Sequence, residues 1–309
     1  MLKKLVAVSI SFLSLVSCTK EVNIDIPGYK EQLVIDGSIE TGSVPIVLLS
    51  NTNDIYAPTN LDAYLNGFIT GAIVTVNDGT NTYQLEEICT DDLTGPALDA
   101  AAAIFGIPAT ELVNYHLCAY TTLTSPLLGQ VGKTYNLTVT YEGNTYTSTT
   151  TIVPPTPLTD LYWKEETNKP GLGWSYGKLS DPAGQSDAYC WEVKYKNENV
   201  FTKTFNPFFD DVFFDGLTFE FPYENPMSWD DETIPQEERG YFRLGDTVVV
   251  KLSKLDRDVF EFYEKKYAQL YSAGNPFSTP TNIPTNIKGG ALGIWAAFSP
   301  SYDTLICQP

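Results

Sequence analysis

The sequence predicts a mainly β protein: an N-terminal immunoglobulin-like β-sandwich, then a second β-rich domain, sandwich- or barrel-like, carrying one amphipathic helix. Three observations predict it. Short runs of alternating apolar and polar residues recur with turn residues between them. The run Val153-Pro154-Pro155-Thr156-Pro157 divides them into two sets, because proline removes amide donors and stiffens the chain. In the second set, residues 256–271 repeat large apolar side chains at helical spacing. Of 309 residues, 43% are apolar and 13% aromatic, enough to build cores and to exclude a disordered chain.

The chain opens with Lys3 and Lys4, then an apolar stretch over 5–16, too short to span a bilayer as a resident helix. It ends in Leu15-Val16-Ser17-Cys18, which looks like a bacterial lipobox. The expected organisation is a signal peptide over 1–17, a lipid-bearing Cys18 and a tether over 18–31. The Cys18 thiol would accept a diacylglyceryl group, and each buried methylene contributes about 0.8 kcal/mol of membrane affinity. An ordinary secretory signal with a chance Cys is the alternative. With 19 Lys and Arg against 38 Asp and Glu, the net charge is −19. Loss of Lys3 and Lys4 with the signal takes it to −21. So acidic a chain lacks the basic footprint that nucleic acids need.

The first domain is placed at 32–153. Leu33-Val34-Ile35 reads as a strand ending at an Asp36-Gly37 turn, and 44–49 as a second strand. Runs at 72–76 and 82–85 flank a hairpin loop at 77–81; 135–141 and 145–152 flank Glu142-Gly143-Asn144. The last of these runs is almost all Thr on its outer face, which suits a half-solvated sheet. Residues 95–114 break the pattern: 97–105 is alanine-rich, so a helical excursion is expected there.

The second domain is placed at 158–309. Strands are read at 172–176, 188–196, 201–205, 217–221 and 246–252, and closing strands at 294–298 and 301–307. Ser253-Lys254-Leu255-Asp256 matches a helix start. Val259, Phe260, Tyr263, Tyr267, Leu270 and Tyr271 then share one helical face, read as core packing against a sheet.

Beside Cys18 stand four cysteines. Proximity pairs Cys89 with Cys118 across the excursion and Cys190 with Cys307; four buried thiols are the alternative. The first bridge would close a loop worth about 3–4 kcal/mol in the chain-entropy model. Their spacing is no zinc pattern, and His116 is the single His.

Catalytic signatures are sparse. A Ser-His-Asp triad would have to use His116, and no phosphate loop or dinucleotide fingerprint is present. Asp230-Asp231-Glu232 and Glu237-Glu238, near Trp229, leave carboxylate hydrolysis as a weaker reading. Asp210, Asp211 and Asp215 form a calcium candidate, with a solvated turn as the alternative. The richest stretch is 201–229, where Phe208-Phe209 and Phe213-Phe214 do not alternate and flank the acids. Adjacent rings at a turn cannot all face one core, so Phe208, Phe209, Phe213, Phe214 and Trp229 are the candidate ligand or partner surface. Aromatic packing between hairpins is the alternative. No catalytic residue is assigned, and no cofactor beyond the lipid on Cys18.

Asn275-Pro276-Phe277-Ser278-Thr279-Pro280, then Pro284-Thr285-Asn286-Ile287-Lys288-Gly289-Gly290 and Gly293-Ile294-Trp295, are distinctive. With the lipobox and Leu33-Val34-Ile35-Asp36-Gly37, they resemble the domain-of-unknown-function family DUF4249, lipoproteins of Bacteroidota. The resemblance covers nearly the whole mature chain and implies an outer-membrane lipoprotein, lipid-anchored at the cell surface. Such proteins look like neighbours of TonB-dependent transporters, so the implied role is a non-enzymatic accessory or binding subunit of a nutrient uptake system, with that transporter as partner. A cell-surface adhesion or structural module is the alternative. The family offers no catalytic residues to carry over. The excursion looks longer than the family pattern and is a place where this member's specificity could lie. On the residues alone, Gly, Pro and Asn in the C-terminal motif suit a structural connection to the closing strands.

Overall fold

The computed structural model describes residues 30–52, 65, 67–122, 127–229, 231–272 and 282–308. The signal segment, Cys18, most of the tether, Asp230 and the 275–280 part of the C-terminal motif lie outside the described residues. In the first half, β1 (Leu33–Glu40) alternates buried and half-buried residues along its whole length. The expected turn at Asp36-Gly37 is therefore mid-strand. Glycine is there for close approach: a Cβ on Gly37 would stand 2.8 Å from the Trp295 ring. β2 (Ile46–Asn51) pairs antiparallel with β1. β3 (Ile73–Asn77) and β4 (Thr82–Gln84) form the expected hairpin, its loop braced by Asp78, whose carboxylate accepts the N–H of Thr80 and Asn81.

β5 (Glu86–Cys89) leads into the excursion, which is helical as read: α1 (Pro96–Phe105) and α2 (Ala109–Leu112). β6 (Cys118–Thr121) returns beside β5, and the Cys89–Cys118 disulfide joins directly paired residues. β7 (Thr134–Tyr141) and β8 (Asn144–Thr151) meet through a tight turn in which Glu142 and Gly143 both take positive φ, the twist that a two-residue hairpin favours.

After the prolines comes a strand the sequence did not reveal, β9 (Leu158–Glu165), paired with β10 (Leu172–Ser180). β11 (Ala188–Tyr195), β12 (Thr202–Asp210), β13 (Thr218–Tyr223), β14 (Phe242–Arg243) and β15 (Thr247–Leu255) follow. Pro207 and Pro222 lie within β12 and β13. Both are sheet-edge strands, where a missing amide donor is tolerated, and the β11–β12 register slips beside Pro207. α3 (Arg257–Ser272) is started by Asp256, whose carboxylate accepts the Val259 N–H at 2.9 Å. Among the described residues no helix is long and apolar enough to cross a membrane.

The layers form two β-sandwiches. In the first, the sheet β4-β3-β7-β8 packs on β1, β2, β6 and β5 around Ile35, Val47, Val74, Leu137 and Trp295. In the second, β9, β10, β13 and β14 pack on β11, β12, β15 and the last strand around Trp191, Val250, Leu179 and Phe242. That last strand, β16 (Leu292–Ile306), belongs to both. Residues 292–298 run parallel to β1, and 299–306 run antiparallel to β15, so the two expected closing strands are one. The result is a continuous eight-stranded sheet, β12-β11-β15-β16-β1-β2-β6-β5.

The C-terminal motif builds this joint. The Asn286 side chain acts as a backbone partner for Trp295, accepting its N–H and donating to its carbonyl, both at 2.9 Å. The Trp295 indole, fully buried in the first core, donates to the Tyr135 carbonyl at 3.0 Å. Any Cβ on Gly293 would overlap the Ile35 carbonyl. The proline linker is tied down as well: buried Lys254 donates to Asp187 at 2.5 Å and to the Thr156 hydroxyl at 3.2 Å.

Candidate functional site

α1 and α3 both stand on the outer face of the eight-stranded sheet, and a cleft of about 540 Å³ opens between them. The α1 wall presents Ala100, Ala103 and Ile104; the α3 wall presents Tyr263, Tyr267 and Leu270. The floor is charged, because outward positions of β1, β11, β12 and β15 carry Glu40, Glu192, Lys203 and Lys251. Lys251 reaches Glu40 at 2.5 Å and Glu192 at 3.1 Å, and Lys203 reaches Glu192 at 3.1 Å. Lys266 of α3 reaches Asp36 at 2.9 Å. Burial works against the Glu192 carboxylate, but Lys203 and Lys251 outweigh it and hold its pKa below the usual value. Burial likewise opposes the Lys251 ammonium, and Glu192 and Glu40 hold its pKa above the usual value. The floor is thus a set of mutually satisfied charges. Cys190 also lines it, and burial pushes its thiol far up in pKa, which keeps it protonated.

At Lys203 and Tyr267 the cleft passes into an aromatic groove of about 900 Å³. Its lining includes successive residues of β12, Thr204 and Phe205, which point to opposite faces, so the groove wraps over the sheet edge. Phe205 is 61% exposed and stacks on Tyr271 with centroids 4.5 Å apart; the Tyr271 hydroxyl donates to the Phe205 carbonyl. Trp229, 48% exposed, donates its indole N–H to one oxygen of Glu224 at 3.1 Å. The other oxygen accepts the Phe205 N–H at 3.0 Å. Burial lifts the Tyr267 hydroxyl to a pKa of about 12. The buried Thr204 hydroxyl has no hydrogen-bond partner among the described residues. A third hollow, about 630 Å³, lies between the excursion and residues 197–200. The Asn199 amide reaches Asp99 of α1 there at 3.4 Å.

The aromatic residues picked from the sequence do not form one surface. Phe208 stacks on Tyr263 at 4.5 Å beneath α3, Phe209 packs against Tyr189 and Phe221, and Phe214 is buried in the second core. The run 202–210 is strand, not turn, so Phe208 and Phe209 face opposite sides of the sheet. Phe213 alone of these four stands free, 91% exposed, beside exposed Val212 and Leu217. Trp229 is the one residue of the five that lines the groove. Phe205, Tyr267 and Tyr271, which strand alternation and helical spacing assign to core faces, also line it. Their signal was Phe205 on an edge strand and the Tyr267/Tyr271 spacing on the last turns of α3, beyond the sheet they were expected to cover.

The acids also regroup. Asp210 turns to Arg257 at 2.6 Å, and Asp181 takes its place, its carboxylate lying with those of Asp211 and Asp215 within 4.8 Å of one another. These three are the residues that could hold a cation. Each already accepts hydrogen bonds: Asp181 from the Tyr189 hydroxyl and the Gly216 N–H, Asp211 from the Asp187 N–H, Asp215 from the Gly184 N–H. Burial first, and then Asp181, Asp187 and Asp215, raise the Asp211 pKa.

Cys89 and Cys118 are bridged as expected. Cys190 and Cys307 are free, because they lie on opposite faces of the sheet: Cys190 packs under α3 and Cys307 in the second core. His116 sits beside the disulfide, its Nε2 3.5 Å from Cys118 Sγ and its Nδ1 2.6 Å from Asp91, which raises the imidazole pKa.

A family model described as a domain of unknown function, DUF4249, matches residues 19–302. No curated protein matches the chain. Among solved structures, a two-domain fibronectin type III segment from chicken tenascin is similar at 9% identity, covering 73% of this chain and 91% of that one, with a TM-score of 0.18.

Proposed function

The chain belongs to the domain-of-unknown-function family DUF4249, and from that membership and the cleft between α1 and α3 we propose that it is a non-enzymatic outer-membrane lipoprotein, the accessory binding subunit of a TonB-dependent nutrient uptake system. Cys18 would carry the lipid that holds it at the surface. The observation that supports a binding role is the cleft itself. It is preformed, of a size that suits a small molecule or a chain segment, and continuous with a groove of half-exposed rings. The floor favours binding over chemistry. Its lysines and carboxylates neutralise one another, its one thiol is protonated, and His116 lies outside it.

The test is capture from detergent-solubilised membranes of cells making the tagged full chain. The expected result is co-purification of a large β-barrel transporter, and release of the Cys18→Ala protein from the membrane fraction. Recovery without a barrel, together with binding to matrix or cells, overturns this reading in favour of an adhesion module. Turnover of a glycan or peptide that is lost with a single carboxylate overturns it in favour of a hydrolase.

A further inference from the structure

We propose that the aromatic groove binds a neutral oligosaccharide. Its rings take the apolar faces of successive sugar units, and Glu224 takes sugar hydroxyls. The inference rests on the binding reading above and names its ligand class.

Two observations carry it. First, Phe205, Trp229 and Tyr271 border one groove and remain 61%, 48% and 47% exposed. Large rings left open around a concavity leave apolar faces for a ligand to cover. An aromatic face carries the negative end of a quadrupole. The C–H bonds on one face of a pyranose ring carry the complementary partial positive charge.

Second, the polar groups of the groove fit hydroxyls rather than ions. The Lys203 ammonium is already matched to Glu192, so an anionic ligand meets no free cation. Both oxygens of Glu224 are fixed by protein N–H groups and keep lone pairs that can accept further donors. The groove's extent, and its passage into the cleft, favour a chain of sugars over a small cation.

The experiment is calorimetric titration of the purified full chain with neutral hexasaccharides: α-1,4-glucan, β-1,4-glucan, β-1,4-xylan, β-1,4-mannan and α-1,6-glucan. Tetramethylammonium and phenylalanine serve as competing ligand classes, with Trp fluorescence as a second readout. The expected result is saturable binding of at least one hexasaccharide, weakened about tenfold or more by Phe205→Ala and by Trp229→Ala. Thermal unfolding of both variants should stay close to that of the parent. Failure of every hexasaccharide to bind overturns the proposal. So does tighter binding of tetramethylammonium or phenylalanine in the same groove, or hexasaccharide binding indifferent to both variants. If the chain still captures a transporter from membranes in those cases, only the ligand class fails and the accessory role stands.

Discussion

Replacing Lys251 by Met removes the central cation of the cleft floor while keeping most of its volume. Its ammonium lies 2.5 Å from Glu40 and 3.1 Å from Glu192, and the three side chains are between 11% and 22% exposed. Stranding one member of a buried pair costs about 3–5 kcal/mol. Two features soften the loss: Glu192 keeps Lys203 at 3.1 Å, and Glu40 keeps the Tyr302 hydroxyl at 3.0 Å. The expected cost at pH 8 is therefore about 2–3 kcal/mol. Its pH dependence identifies the cause. Glu192 has a folded pKa below its usual 4.5, so its contribution is present above that value and is lost as pH falls through the folded pKa. The variant forfeits much of that contribution, so the gap between parent and variant should narrow as pH falls below about 5. Lys251 has a folded pKa above its usual 10.5, so its own contribution is constant from pH 7 to 9. Urea unfolding of both proteins at pH 8, 6 and 3 measures the gap. Adding Glu192→Gln to the variant should recover part of the loss, since a carboxylate no longer needs a partner. A gap that stays constant down to pH 3, or a double variant that loses the sum of the single costs, would refute the electrostatic account.

Three further outcomes are expected. Gly37→Ala places a methyl 2.8 Å from the Trp295 ring and should cost about 1–3 kcal/mol in thermal unfolding, with a shift in Trp emission; a neutral result would mean that the joint yields easily. Mass mapping should find Cys89 bridged to Cys118, with Cys190 and Cys307 alkylated only in denaturant. Changing both bridged residues to Ser should open residues 90–117 to chymotrypsin, and equal resistance would show that the excursion holds without its staple. Asp211→Asn should raise stability at pH 8 and leave it unchanged in acid, because a raised folded pKa means that stability falls as pH climbs through it; a loss at pH 8 would show the carboxylate to be needed in its charged form.

Local signals read well from the sequence, and long-range ones did not. The 77–81 and 142–144 hairpins, the excursion and α3 depend on turn residues, alanine content and apolar spacing within a few positions. Asp36-Gly37 misled because a turn signal and a close-approach glycine look the same until Trp295, far along the chain, is seen packed on it. β9 was hidden behind the prolines, and its partner β10 gave the stronger pattern. At the candidate site, Trp229 was legible as an aromatic in a loop. Phe205 was not: it lies on an alternating strand, and only its place at the sheet edge, facing the overhanging end of α3, leaves it open. The Cys190–Cys307 pairing failed for a similar reason. Proximity in sequence carries no information about which face of a sheet a side chain takes.

The residues that carry the family resemblance and those that shape the cleft overlap at Asp36 but are otherwise different sets with a mechanical connection. Gly37, Asn286, Gly293 and Trp295 meet where β16 passes from one sandwich to the other. One wall of the cleft, α1, belongs to the first sandwich, and the other, α3, lies over the second. Lys251 crosses the same boundary, holding Glu40 of β1 and Glu192 of β11 on either side of β16. A strand shared along its length, rather than a flexible linker, therefore sets the distance between the walls. Such a cleft loses little freedom when it is filled, since its walls are fixed beforehand. It follows that a lesion at the joint would change the width of the cleft without touching a lining residue, whereas an altered excursion would change what the cleft accepts while leaving the joint whole.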